Sequence, residues 1–347
     1  KNAGNPNAWL YEPDLSRPAT NDNRTKDGQL RLSWQASTKN RLGLTWHEQT
    51  LCGCPIDISA STAPDGSRWN KYPLQRQVQV DWLSPVTSRL LLEAGVLRYS
   101  GIATLPPPPG TNPAMIGVTE QSTGLRYRTG DFDYRRNPFV ALHSRGTATY
   151  LASGHALKAG FNMSNGYSDN TVFTVNPLTY RFNNGIPNQI TQVAYPYSWR
   201  IDMRSFGLYA QDKWTVSRFT LNYGLRYDNF KTSFPEGHLG PTPFTPNRNV
   251  TFPAQDGVSL QDITPKFGAA YDLFGNGKTA LKVTVNKYLQ GLGTNLIAAA
   301  ASPINLVVSQ TTRSWNDANR NYVPDCDLIS PTANGECGAM AAADFGS

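Results

Sequence analysis

A chain of 347 residues with 29 Gly, 25 Pro, 16 Tyr and 14 Phe but only 16% charged residues is rich in turn and strand formers, and poor in what a soluble helical domain needs. A mean hydropathy of −0.45 and the lack of any run of about 18 apolar residues exclude a transmembrane helix, though not a barrel, whose strands show lipid only at every second residue. The net charge of +7 comes from scattered Lys and Arg with no basic run and no nucleic-acid motif, which excludes nucleic acid as a partner.

Period-two alternation then runs through the chain in segments of about ten residues. Leu30, Leu32 and Trp34 alternate with Arg31, Ser33 and Gln35; beyond a turn at 37–40, Leu42, Leu44 and Trp46 alternate with Arg41, Gly43, Thr45 and His47. Val78, Val80 and Trp82 alternate with Gln77, Gln79 and Asp81, and a turn at 85–88 leads to Leu90, Leu92, Ala94 and Val96. Val140, Leu142, Ala148 and Tyr150 precede a turn at Ser153 and Gly154, and Leu157, Ala159, Phe161 and Met163 follow it. The cleanest hairpin spans residues 204–228. Phe206, Leu208, Ala210, Trp214 and Val216 share one face of its first arm, Ser217 and Arg218 turn, and Phe219, Leu221, Tyr223, Leu225 and Tyr227 share one face of its second. Phe267, Ala269, Tyr271 and Leu273, a turn at Gly275, Asn276 and Gly277, and Leu281, Val283 and Val285 complete the series.

The pattern predicts an all-β fold of about ten or eleven antiparallel strands, with weaker strand signals at 171–182 and 189–195. Short turns alternate with long Pro-, Gly-, Asn- and Thr-rich segments at 50–72, 101–137, 166–202 and 231–262. This asymmetry belongs to a transmembrane β-barrel with short periplasmic turns and long extracellular loops. The polar parity carries Gly, Gln, Asn, Lys and Asp together, which suits a wide, wet lumen. Trp34, Trp46, Trp82, Trp214, Phe219 and Phe274 lie near the short turns, where an aromatic girdle would sit. Asp212 breaks the apolar parity close to a turn, where a lipid-side charge costs only about 0–1 kcal/mol. Because open sheet edges cannot stand in hydrocarbon, more strands are expected in the parent protein, up to about 22 as in the largest transporters of this kind. Lys1 is not a start methionine and 341–347 read as mid-loop, so the chain is expected to be a piece of one barrel domain.

The run Leu208-Tyr209-Ala210-Gln211-Asp212-Lys213-Trp214, with Leu221-Asn222-Tyr223-Gly224-Leu225-Arg226-Tyr227-Asp228 after the turn, resembles the "YxQDxW … LNxGLRYD" hairpin of TonB-dependent receptor barrels. Thr264 to Phe274 with Gly275 to Lys278 resembles the next hairpin of that family. Trp315 to Asn319, Val323 to Leu328 and Asn334 to Gly338 resemble an extracellular loop of its Oar-like branch. The resemblance covers about the second half of the chain. It implies an outer-membrane receptor and transporter that imports a small molecule, glycan or peptide too large or scarce for porins, through a barrel closed by an N-terminal plug and energised by the TonB complex. Neither plug nor TonB box is present in these residues. A passive porin or surface adhesion barrel, and a soluble all-β carbohydrate-binding protein, are the alternatives.

Asp317, Asn319, Asn321, Asp325 and Asp327 place oxygen ligands at alternating positions, as calcium loops do. Tyr322 stands where an EF-hand has glycine and Leu328 where it has glutamate, so the alternative is a solvated turn rich in Asx residues. The four cysteines form two close pairs without zinc or redox spacing, which fits an oxidising compartment. A Cys326–Cys337 bridge is expected to close a loop; Cys52 and Cys54 either bridge locally or pair elsewhere. Lumen-parity charges Arg41, Asp81, Lys158, Arg226, Asp228, Lys266, Asp272 and Lys282 are expected to pair across strands. Enzyme signatures are missing: His47, His143, His155 and His238 stand alone, with no HExxH or GxSxG, so no catalytic residue and no required cofactor is assigned.

Overall fold

The computed structural model describes residue 5 and residues 7–130, 133–289 and 301–347. In chain order its strands are β1 (Asn23–Ser37), β2 (Asn40–Ile56), β3 (Arg68–Pro85), β4 (Leu90–Leu105), β5 (Gly117–Glu120), β6 (Leu125–Tyr127), β7 (Tyr134–Ala152), β8 (His155–Phe173) and β9 (Leu178–Asn183). There follow β10 (Ile186–Val193), β11 (Tyr197–Val216), β12 (Phe219–Phe234), β13 (Gly237–Leu239), β14 (Val250–Phe252), β15 (Gln255–Asp272), β16 (Ala280–Asn286) and β17 (Gln310–Ser314).

Ten of these form one antiparallel wall in the order β1-β2-β3-β4-β7-β8-β11-β12-β15-β16. Each strand lies beside its nearest wall neighbour in sequence, as the alternating pattern and tight turns require. Strands β11 and β12 pair continuously from Val216↔Phe219 to Asp202↔Ser233, so Trp214, Ala210 and Leu208 stand on one face with Leu221, Leu225 and Tyr227. That apolar face has nothing packed on it. Leu30, Leu32, Trp34, Leu208, Leu225, Leu281 and Val283 are each close to half exposed or more, so the wall presents a continuous apolar surface of a kind soluble monomers do not tolerate. Asp212 is the exception on this face. It is 4% exposed, because His155 Nδ1 (2.6 Å) and the Tyr223 hydroxyl (2.9 Å) hydrogen-bond its carboxylate while Trp214 stacks on the His155 ring at 5.4 Å.

The wall strands run further than the alternation alone indicates. Strand β2 continues to Ile56, β4 to Leu105 and β8 to Phe173, while β7 already starts at Tyr134 and β11 at Tyr197, so the four long segments are shorter than expected. The extensions carry mixed polarity on both faces, which hides their strand character in sequence. The weaker signals near 171–182 and 189–195 belong largely to a second sheet, not to the wall. Its order is β17-β10-β9-β5-β6, with β5 and β9 parallel.

The hydrophobic core sits under this second sheet. Val118, Tyr127, Tyr180, Phe182, Ile190 and Trp315 are almost fully buried there. Trp9 from the segment before β1 stacks on Tyr180 (5.3 Å) and Tyr322 (5.1 Å), and Tyr127 donates to the Trp9 carbonyl at 2.8 Å. All contributing segments enter from the end of the wall opposite the short turns. The long loops are therefore a folded unit, with its own core, set on one end of the wall.

Candidate functional site

The polar face of the wall is built on glycines that let neighbours reach across a strand. Arg145 of β7 and Asp81 of β3 both lie in register with Gly95 of β4 and join over it at 3.1 Å. A Cβ at Gly95 would stand 2.8 Å from Asp81 Oδ1 and 3.1 Å from Arg145 Nε. In the same way Tyr209 crosses Gly160 to place its hydroxyl 2.9 Å from Thr147 Oγ1. A Cβ at Gly160 would lie 2.7 Å from that Tyr209 hydroxyl and closer still to the Gly146 carbonyl. Gly160→Val should therefore lower the stability of the folded barrel by about 1–3 kcal/mol, an overpacking cost. Urea titration in vesicles measures it, and an unchanged midpoint would contradict the bridging role of this glycine.

Among the described residues, the expected cross-strand ion pair is seen for Asp81 and not for the other seven. Arg226 and Asp228 pair along one strand, with 2.9 and 2.8 Å from Nε to the two carboxylate oxygens. Asp272, the last residue of β15, accepts the Gly275 and Gly277 N–H groups at 3.0 and 2.8 Å, capping the turn. Around Arg226 and Asp228 opens a cavity of about 670 Å³, bounded by His143, Asn162, Thr264 and Lys266 and by Lys287, whose Nζ lies 2.6 Å from Asp262 Oδ1. Its lining mixes both charge signs with Met203, Phe230 and Leu260.

At the loop end, Cys52 is bonded to Cys54 across Gly53 with Cα atoms 5.3 Å apart, and Cys326 to Cys337 with Cα atoms 5.9 Å apart. The oxygen-rich loop is drawn together only in part. Asn319 and Asn321 donate to Asp325 Oδ2 at 2.6 and 3.0 Å, and Asp317 accepts the Asn321 and Tyr322 N–H groups at 3.1 Å each. Asp327 makes none of these contacts and accepts instead from the Ile329 N–H at 2.9 Å. Among the described residues no three His, Cys, Asp or Glu side chains gather as a metal-binding group.

Three buried arginines, which no sequence pattern marks, tie the loop unit together. Arg313 donates to the carbonyls of Gly338, Asp327, Ser330 and Thr332 at 2.8–3.3 Å. Arg248 reaches the carbonyls of Gly240, Ala194 and Pro196. Arg128 reaches those of Asn7, Ala8 and Ile116, with its guanidinium 3.9 Å above Trp9. Burial pulls the pKa of all three below the usual arginine value.

Glu120 plays the complementary part at the β9–β10 turn, accepting the N–H groups of Ser122 (3.1 Å), Asn184 (2.8 Å) and Gly185 (2.9 Å). Burial works to raise its pKa, but the Ser122 hydroxyl and these N–H groups outweigh burial and hold it below the ordinary 4.5. Its carboxylate thus supports the turn above that value, and the support is lost as pH falls below it. Amide exchange at Asn184 and Gly185 should speed up between about pH 6 and about pH 3, after correction for intrinsic rates, and Glu120→Gln should abolish that dependence. Equal acid sensitivity in the variant would contradict this role.

A family model described as outer membrane beta barrel domain matches residues 2–343. Among solved structures, the outer membrane transporter YddB from Escherichia coli superposes with a TM-score of 0.52 at 16% identity, covering 78% of this chain and 32% of that one. The ferric yersiniabactin uptake receptor FyuA from Yersinia pestis gives 0.48 at 11% identity, covering 72% of this chain and 35% of that one. The ferric-catecholate import receptor Fiu from E. coli K12 gives 0.47 at 14% identity, covering 85% and 47%. The chain thus spans a third to a half of the length of these proteins, and the likeness to YddB is one of fold. No curated protein matches the chain.

Proposed function

Since the chain belongs to the outer membrane β-barrel domain family and its place is the bacterial outer membrane, we propose that it is the receptor half of a TonB-dependent importer. Substrate is captured by the folded loop unit, passed along the polar wall, and taken up without covalent chemistry. The observation that carries this reading is the five-stranded loop sheet with its own buried core. A pore that only sieves solutes has no need of a preformed structure of that size above its mouth. The family-like hairpin of β11 and β12 supports the same reading, as does the Oar-like loop after β17.

The described wall does not close on itself, since no β1–β16 pairing occurs among the described residues. We take its ten strands as part of a larger barrel of about 22, with a plug and a TonB-contacting segment supplied elsewhere in the same protein. The soluble carbohydrate-binding alternative is set aside by the family and by the exposed apolar face. The porin alternative makes a different electrical prediction. In planar bilayers with molar KCl, the protein expressed from its full gene should stay closed, because a plug fills it. Steady porin-like conductance would overturn the import reading. Calcium in the Asp317 loop is a separate proposal, supported by oxygen spacing alone. Calorimetric titration with CaCl₂ showing only millimolar or weaker affinity would sink it.

A further inference from the structure

At its loop end the apolar parity of the wall passes into charge. On β11 the outward row of Leu208 and Phe206 continues to Arg204, and on β12 the row of Leu225 and Tyr227 continues through Asn229 to Lys231. Arg204 and Lys231 are register partners on adjacent strands. Asn165 of β8 stands beside Arg204 on its other side, and Ser259 of β15 beside Lys231. Arg204 lies twelve residues before Val216 and Lys231 twelve beyond Phe219, the two residues that flank the short turn. At about 3.3 Å per residue and a tilt near 45° both stand roughly 28 Å above that turn, at the upper edge of an apolar band about 25 Å tall.

Both side chains are exposed, and neither forms a hydrogen bond or ion pair with any described residue. Asp202, two positions beyond Arg204 on the same face, is taken up by Arg200, whose Nε and a terminal nitrogen reach one carboxylate oxygen at 3.0 and 2.7 Å. Elsewhere on this face the wall sets unlike charges opposite each other: Glu48 and Arg76 are register partners on β2 and β3 and pair at 2.8 Å. Like charges directly opposite are unfavourable, the more so beside hydrocarbon. Strands β8 and β15 flank the pair, so this part of the wall is complete whatever lies beyond β1 and β16. Just below it Met163, Phe206 and Leu208 are each well exposed. A ligand that meets the cations and this surface together must carry both an anion and acyl chains. The guanidinium fork takes two oxygens of a phosphate, and the ammonium attracts a third as a point charge.

We propose that Arg204 and Lys231 bind the phosphate of a lipid headgroup in the outer leaflet, with the Asn165 amide and the Ser259 hydroxyl as neutral donors at either side. The phosphate sits between the two cations and removes their repulsion, while the lipid's chains lie along Met163, Phe206 and Leu208. Such a contact fixes the height of the wall in the bilayer. The proposal rests on the lipid-facing parity of the wall and not on the import reading, so the two stand or fall by separate measurements.

The test uses the protein expressed from its full gene and purified in a non-ionic detergent. Phosphatidic acid is titrated, with diacylglycerol of the same chains as the phosphate-free control, and bound lipids are counted by native mass spectrometry. A saturable site for phosphatidic acid is expected, with no counterpart for diacylglycerol and no displacement by equimolar inorganic phosphate. Arg204→Gln and Lys231→Gln should each weaken it about tenfold, the loss of one charge-assisted contact. Arg204→Lys, which keeps the charge but not the fork, should fall between. Lys213→Gln, on the polar parity of the same strand, should leave it unchanged. Heat-modifiable mobility in SDS gels shows whether each variant still forms a barrel. A Gln variant that does not is replaced by Asn165→Glu, which keeps both cations, sets a carboxylate beside Arg204 and should abolish the site. No saturable binding of phosphatidic acid, or equal affinity in the wild type and in folded Gln variants, would overturn the proposal. Displacement by equimolar inorganic phosphate would equally overturn it, since the site would then take the free anion and not the lipid.

Discussion

Replacing Arg313 by methionine should detach the 315–340 segment from the loop sheet while leaving the wall intact. Arg313 is 2% exposed and is the shared partner of carbonyls at Gly338, Asp327, Ser330 and Thr332. Methionine fills a similar volume but donates nothing. Each carbonyl that water cannot then reach costs about 1–3 kcal/mol, which brings the expected loss to about 3–5 kcal/mol for the unit. The Cys326–Cys337 bridge keeps the loop closed on itself, so the segment should swing away as a ring and not unravel. Limited proteolysis of intact cells checks this: cleavage should appear between residues 315 and 325 in the variant, with wall strands still resistant. A variant as resistant as the wild type would mean that Trp315 packing, and not Arg313, holds the segment.

Leu225→Arg should cost the wall about 2–4 kcal/mol, whereas Asn222→Arg should cost little. Leu225 is 61% exposed on the apolar face, opposite Ala210 and Pro265. It lies six residues above the Ser217–Arg218 turn edge at Phe219, and at about 3.3 Å per residue with a tilt near 45° this places it roughly 14 Å into the hydrocarbon, close to the midplane. An arginine there meets lipid, while at Asn222, on the other parity, it meets the polar wall. Urea unfolding of the protein in phosphatidylcholine vesicles gives both values, and equal costs would mean that the two faces are not differently solvated.

The wall was legible in sequence because each of its strands repeats a period of two for at least six residues between turn formers. At Leu221, Tyr223, Leu225 and Tyr227 one parity must be apolar to meet lipid, so burial requirements write themselves directly into the residue order. Where the strands leave the membrane both faces meet water or protein, and the parity blurs; this is why Tyr197 to Asp202 reads as loop and 171–173 gives only a weak strand signal. The second sheet was harder still. Its alternation, Leu178-Thr179-Tyr180-Arg181-Phe182 in β9, is visible once the strand is known. Its partners lie far off in sequence, however, and no local pattern announces a parallel β5–β9 pair. The buried arginines left no trace, since Arg128, Arg248 and Arg313 take their meaning from carbonyls that only the fold gathers. In the oxygen-rich loop, Asp317, Asn319, Asn321 and Asp325 are joined by hydrogen bonds, while Asp327 turns to the Ile329 N–H, a contact that the spacing does not indicate.

This wall stands in the outer membrane with one parity toward lipid and the other toward an aqueous interior. Spin labels placed singly from Phe219 to Asp228 on β12, in outer-membrane vesicles, test it most directly. Lipid-soluble oxygen should relax labels at positions 221, 223, 225 and 227, and a water-soluble nickel chelate those at 220, 222, 224 and 226, in strict alternation. Labels that respond alike to both reagents along the strand would contradict it.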